Sequence, residues 1–438
     1  MPSIPSCGRA SSEGLPQEMV DVVIDHVASD TRALKRLSRV CRAWYPRTRR
    51  HLFQEIVFHP GRSDQYFAGL GDLIEKNALL KQCVERLGVE FQWDADPGWL
   101  DNTFIISLLP LLTSLKNVSI HGPHLLYVKW PTLQPAVQIA FHNLFAQPHV
   151  VSLTLHRVFD IDIAAFSQYH HLEELTLRNV RLTEGRPSQS GACFPLQTTF
   201  QLDHPTGSLR SLSITDSVVF LAEALFVCTA SSGATFNFRN LTQLDLRLQE
   251  FDKDFPSTCA SLIKACGPSL ETYKTSFRRG PLNHASVSSA LQLRRFPHLA
   301  SFSLVVDNSS HVGLNGCEII RSILVPELDL LPGSGSQSFI NSIHLNINTL
   351  DIGKVGVTDK KDLYGFCSEE VWSRLDEILA RPEFPFLREL SILFDVCMEE
   401  LGRQDLVDVK ELVLARMPNL QEKGIVTVST SETTLGMY

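Results

Sequence analysis

The sequence predicts an α/β chain in which a short helical module is followed by an irregular parallel β/α solenoid. Three observations predict it. Between Leu15 and Val27 apolar residues recur at steps of three and four, the period of one helix face. From Phe53 onward one beat keeps returning: an apolar residue, two others, an apolar, one other, an apolar. Helix-like stretches fall between the beats, and five beats carry proline two residues ahead of the first apolar position, as in Pro148-His-Val150 and Pro385-Phe-Leu387.

The helical module comes first. Leu15, Met19, Val20, Val23, Ile24 and Val27 share a face, and Pro16 sits at a helix start, where its missing N–H costs nothing. Ser29 and Asp30 can cap a second helix with Leu34, Leu37, Val40 and Cys41 as its apolar stripe. Trp44, Leu52 and Phe53 complete the set. Two or three short helices in about forty residues bury too little to be very stable alone, which implies a partner.

The series Leu15-Pro16, Leu34, Val40-Cys41-Arg42-Ala43-Trp44 and His51-Leu52-Phe53 resembles the F-box, in the form abundant among mushroom-forming fungi. The resemblance spans residues 15–53 and implies a helical hook whose Leu-Pro opening and Val-Cys-x-x-Trp segment engage the Skp-type adaptor of a cullin ubiquitin ligase. Leu15, Pro16, Val40, Cys41 and Trp44 match that pattern, and Ile24 belongs to the apolar set expected to be buried against the adaptor. Residues 1–14 then form a disordered tail and residues 54–438 the array.

The beats start at Phe53, Val84, Leu115, Val150, Leu172, Leu209, Leu241, Leu270, Leu299, Ile340, Leu387 and, weakly, Leu420. Such a pattern arises by chance about once in thirty residues, so its context carries the reading. Proline ends a helix and extends the chain. Helices are expected over Ala136 to Ala146, Ser257 to Cys266, Val287 to Phe296, Val371 to Ala380 and Leu406 to Met417. Helix and strand in alternation at a near-fixed period give a parallel sheet with helices on one side, curved into a solenoid. This resembles the leucine-rich-repeat fold. The Asn or Cys that follows the strand in that family stands only at Asn348, with Val158, Val180, Ser217 and Gln249 at the equivalent sites. Each turn must then satisfy its backbone separately. Thr275 and Lys423 interrupt the beats at Leu270 and Leu420. Surface excursions are expected at Thr183 to Ser208, Thr229 to Asn237, Asp307 to Gly316, Leu331 to Gln337 and Gly353 to Asp362.

Residues between the apolar positions of each strand point away from the core, toward the concave face of a horseshoe. From Asn117, Ser119 and His121 to Ser342, His344 and Asn346 they are polar, mostly small and of mixed sign, which suits a protein surface better than an apolar ligand. Arg178, Asp245, Arg247 and Lys274 are the charges expected to orient a protein substrate there.

Composition excludes other classes. A net charge of −8 with 20% charged residues argues against general nucleic-acid or membrane-surface affinity. Ten cysteines without a Cys-x-x-Cys pair predict buried free thiols rather than a zinc site or disulfide framework. Residues 1–14 lack the apolar run of a signal peptide, and no stretch reaches the length of a membrane span, so cytosol or nucleus is expected and three Asn-x-Ser/Thr triplets read as accidents. No nucleophile elbow, phosphate loop or dinucleotide fingerprint appears. His170-His171-Leu-Glu173-Glu174 does not place two ligands on one face. No catalytic residue, metal or cofactor is therefore assigned.

One competing signal remains. Residues 31–50 hold eight cations and no acid, as a helical DNA reader would, although they interleave with core positions and lack an Asn or Gln to read base edges. Three functions stay open: a ligase adaptor, a partner-binding repeat protein without a ligase role, and a basic DNA reader.

Overall fold

A computed structural model describes residues 16–60, 64–91, 103–123, 126–162, 166, 169, 171–183, 209–215, 238–249, 262–278, 288, 291–307, 319–331, 338–348, 367, 370–397 and 403–433. The surface excursions named above, Leu15 and His170 lie wholly or mainly outside them.

Three helices open the chain: α1 (Gln17–His26), α2 (Thr31–Leu37) and α3 (Tyr45–Phe53). Asp30 caps α2, its carboxylate accepting the Arg32 and Ala33 amides at 2.9 Å each. Val20, Ile24 and Leu34 form a core of their own, with Val27, Leu37, Trp44 and Leu52 packed around it. The predicted stripes split. Met19 and Val23 turn outward, because a three-residue core covers only a narrow arc of α1. Helix α2 stops at Leu37, so Val40 and Cys41 lie in an exposed turn rather than on its buried stripe.

The array follows at once with β1 (Glu55–Phe58), β2 (Arg86–Glu90), β3 (Asn117–His121), β4 (Val128–Lys129), β5 (Ser152–His156), β6 (Val158–Asp162), β7 (Glu174–Arg178), β8 (Arg181–Thr183), β9 (Ser211–Thr215), β10 (Gln243–Gln249), β11 (Thr272–Arg278), β12 (Ser301–Asp307), β13 (Ser342–Asn348), β14 (Glu389–Cys397) and β15 (Val426–Thr433). Twelve of them form one sheet in the order β1-β2-β3-β5-β7-β9-β10-β11-β12-β13-β14-β15, with every pairing parallel. Parallel neighbours require a crossover between them. Here the crossovers are short helices and turns, among them Pro135–Phe145, Glu370–Leu379 and Arg403–Ala415. Of Val287 to Phe296 only Ser288 and the residues from Leu291 onward are described: Ser288 is helical, and Leu293–Arg295 form a single tight turn just before the strand.

Each of the first eleven beats opens two residues ahead of a strand. Its second and third apolar positions, such as Val118 and Ile120 or Leu244 and Leu246, are buried beneath the sheet in one continuous core. Thr275 takes such a position in β11, fully buried and with no hydrogen-bond partner for its hydroxyl among the described residues. The Leu420 beat does not make a strand. Leu420 lies in the helix Pro418–Glu422, and the last strand begins at Val426.

The backbone at the strand starts is satisfied by a ladder rather than by side chains. The Gln54 carbonyl accepts the amides of both Glu85 and Arg86 at 2.9 Å, Glu85 accepts Lys116 and Asn117, and the relay continues through Ala300 and Asn341 to Arg388. At the far end of the early strands Gly122, Arg157 and Asn179 make the same corner, donating to His156, Arg178 and Thr215 carbonyls at 2.7–2.8 Å. Arg157 and Asn179 adopt positive φ there. A Cβ on Gly122 would stand 2.4 Å from the Arg157 carbonyl oxygen, so only glycine lets the rungs approach. Beyond the corner, β4, β6 and β8 form a second parallel sheet, and Val158 and Val180, where the family has Asn or Cys, are buried instead.

Candidate functional site

Parallel sheets are ordinarily covered on both faces. In this one, among the described residues, strand after strand alternates buried with half-exposed, as in β3 and β7, so one face is packed and the other stays open. The residues between the core positions stack into rows set by the register, most of them half-exposed and two of them, Thr215 and Ser276, buried. One row runs Ser119, Thr154, Thr176, Ser213, Asp245, Lys274, Ser303, His344 and Ser391. The next runs His121, His156, Arg178, Thr215, Arg247, Ser276, Val305 and Asn346.

All four charges assigned from the sequence fall within these two rows. Asp245 and Lys274 are direct partners across β10 and β11, and Arg247 reaches Asp245 along its own strand at 3.4 Å. Arg178 lies two strands from Arg247 in the same row, with Thr215 between them. Strand spacing puts the cluster within roughly 15 Å across four strands. Asp245 Oδ1, Arg247 Nε, Ser276 Oγ and Asn346 Oδ1 are buried side-chain atoms on this face without a hydrogen-bond partner among the described residues. Such atoms are costly until something pairs with them. His121 stands at 5.8 Å from the His156 ring, and burial together with Arg178 holds its pKa below the usual imidazole value against the opposing pull of Glu90.

The helical module offers a surface of a different kind. Met19 is 53% exposed, Val22 64%, Val23 42%, Val40 61% and Tyr45 41%. Pro16 and Cys41 are exposed as well, Trp44 is half-buried, and Ile24 is wholly inside the module's core, so its side chain is not part of that surface. Met19, Val22, Val23 and Tyr45 are not among the adaptor-surface residues expected from the sequence. The eight cations of residues 31–50 are partly engaged: Arg47 pairs with Asp25 at 2.6 Å, Arg50 with Glu85 at 3.0 Å, and Arg49 lies over the Tyr45 ring. Hydrogen bonds from Arg47 and His51 hold the Asp25 carboxyl well below the usual carboxylate range.

Among the described residues no group of His, Cys, Asp and Glu is placed to hold a metal, and no helix is long and apolar enough to cross a membrane. The topology defines a leucine-rich-repeat-like parallel β/α solenoid preceded by a helical module. No protein-family model matches the chain, and no curated relative matches it. Among solved structures it is similar to an internalin from Listeria monocytogenes, with 14% identity over 85% of this chain and 91% of that one and a TM-score of 0.32.

Proposed function

We propose that the chain is a substrate-recognition subunit of a Skp-cullin-F-box type ubiquitin ligase: residues 15–53 bind the Skp-type adaptor, and through it the cullin, while the open sheet face holds a protein substrate. One observation carries the reading. A module with a core of three buried residues leaves Met19, Val22, Val23 and Val40 on its outside, together with Pro16 and Cys41 of the F-box resemblance. Apolar exposure of that extent on so small a module points to an interaction surface. In this reading the ligase core carries out the transfer in the cytosol or nucleus, and the chain needs neither catalytic residue nor cofactor.

The test is co-purification of the full chain with a Skp-type adaptor, read together with cysteine alkylation. Cys41 is exposed, whereas burial pushes the Cys266 and Cys367 thiols up to about 12. Bound adaptor should slow alkylation of Cys41, with Cys266 and Cys367 inert in both states. Failure to co-purify favours the second reading, a partner-binding repeat protein without a ligase role. That reading is supported by the polar, partly unpaired open face, which does not depend on the module.

A further inference from the structure

Apart from the open face and the module, the molecule has a third exposed feature, at the leading edge of the sheet where β11 to β14 begin. Glu271, Ala300, Asn341 and Arg388 each immediately precede a strand, and the carbonyl ladder fixes them: Ala300 donates to Glu271, Asn341 to Ala300 and Arg388 to Asn341 at 2.8–2.9 Å. Two residues ahead of the last three stand His298, Phe339 and Phe386. The two phenyl rings are stacked with centroids 5.8 Å apart and 3° between planes, and His298 lies 6.0 Å from Phe339. Phe339 is 51% exposed and Phe386 42%. Together these side chains line a groove of about 470 Å³.

We infer that this groove binds an extended peptide segment of another protein that carries a cationic side chain and a carboxylate about four residues apart, with an apolar residue between them. The charges argue for that occupant. Glu271 and Arg388 mark opposite ends, and neither has an ion pair among the described residues. Three strand spacings separate them, about 14 Å. An extended chain covers that distance in about four residues at roughly 3.3 Å each. The Phe339–Phe386 stack gives the intervening apolar side chain a flat, rigid wall that loses little entropy on binding. The exposed Asn341 lies on the floor between the two charges, and its amide offers a donor and an acceptor to the peptide backbone. The inference does not rest on the ligase reading, since the groove is built by the array alone.

The test uses the full chain and fluorescein-labelled peptides of the pattern Arg-x-x-x-Asp with leucine or proline at the centre, against Arg-x-x-x-Arg and Asp-x-x-x-Asp sets. Wild type should bind the first set at least about tenfold more tightly than either other. Glu271→Arg should move the preference to the Asp-x-x-x-Asp set and Arg388→Glu to the Arg-x-x-x-Arg set, and Phe339→Ser should weaken all three. The charge reversals leave the stack untouched, so they remain informative even where Phe339→Ser disturbs the edge. Equal binding of the three sets, or a preference unmoved by the charge reversals, would overturn the proposal. So would a concentration-dependent dimer abolished by Phe339→Ser, which would make the occupant a second copy of this chain.

Discussion

The Asp376 carboxylate reaches 44 residues along the chain to accept the backbone N–H of Leu420 at 2.8 Å. Its other oxygen accepts the Asn419 amide at 3.1 Å and the Asn419 side chain at 2.7 Å, so one buried acid satisfies the free N–H groups at the start of Pro418–Glu422. That cap, with Pro418 at the first helical position, turns the final beat into a helix and delays the last strand to Val426.

Removing the cap should therefore loosen the end of the array. Asp376→Ala strands the buried Leu420 donor and the part-buried Asn419 donor and should cost about 2 kcal/mol. Urea unfolding gives the total, and hydrogen exchange over residues 418–433 should show the loss concentrated in the last rung. A change below about 0.5 kcal/mol would mean that the helix holds without its cap.

Asp25 gives the module a dependence on pH. Its pKa is depressed in the folded chain by the Arg47 and His51 hydrogen bonds, so the associated stability is complete above the unfolded value and is lost as pH falls through the folded one. Hydrogen exchange in α1 and α3 should be faster in Asp25→Asn than in wild type at pH 7, and the gap should shrink as pH drops below about 4. A gap that stays constant to pH 2 contradicts this origin.

On the open face, Arg178, Asp245, Arg247 and Lys274 should act on binding and not on folding, since they lie outside the core. Reversing all four charges should reduce affinity for a captured protein substrate by at least about tenfold, with the circular dichroism spectrum unchanged. Unaltered affinity would place the substrate elsewhere.

The strands were legible because beat and pleat share one geometry: in the eleven beats from Phe53 to Leu387, the residue three after the start enters the core two positions into the strand. Leu420 misled because its cap comes from Asp376, far away in sequence. The α1 stripe was too generous, since spacing alone ranks Met19 and Ile24 alike, while a core built with only Leu34 from α2 has room for Val20 and Ile24. The four charges of the open face were readable from alternation. Their clustering was not, because register across crossovers of unequal length has no local signal. The aromatic edge did leave one: His298, Phe339 and Phe386 each stand just ahead of the first residue of a beat, in three successive beats.

The most direct measurement is a titration of the full chain with a purified Skp-type adaptor, for wild type and for Met19→Asp/Val40→Asp. Both substituted residues are more than half exposed, so the variant should fold as wild type does. Wild type should bind, and the variant should bind about 100-fold more weakly while its circular dichroism spectrum is preserved. An adaptor that fails to bind wild type, or binds both proteins equally, would contradict the assignment of the helical module as an adaptor-docking surface.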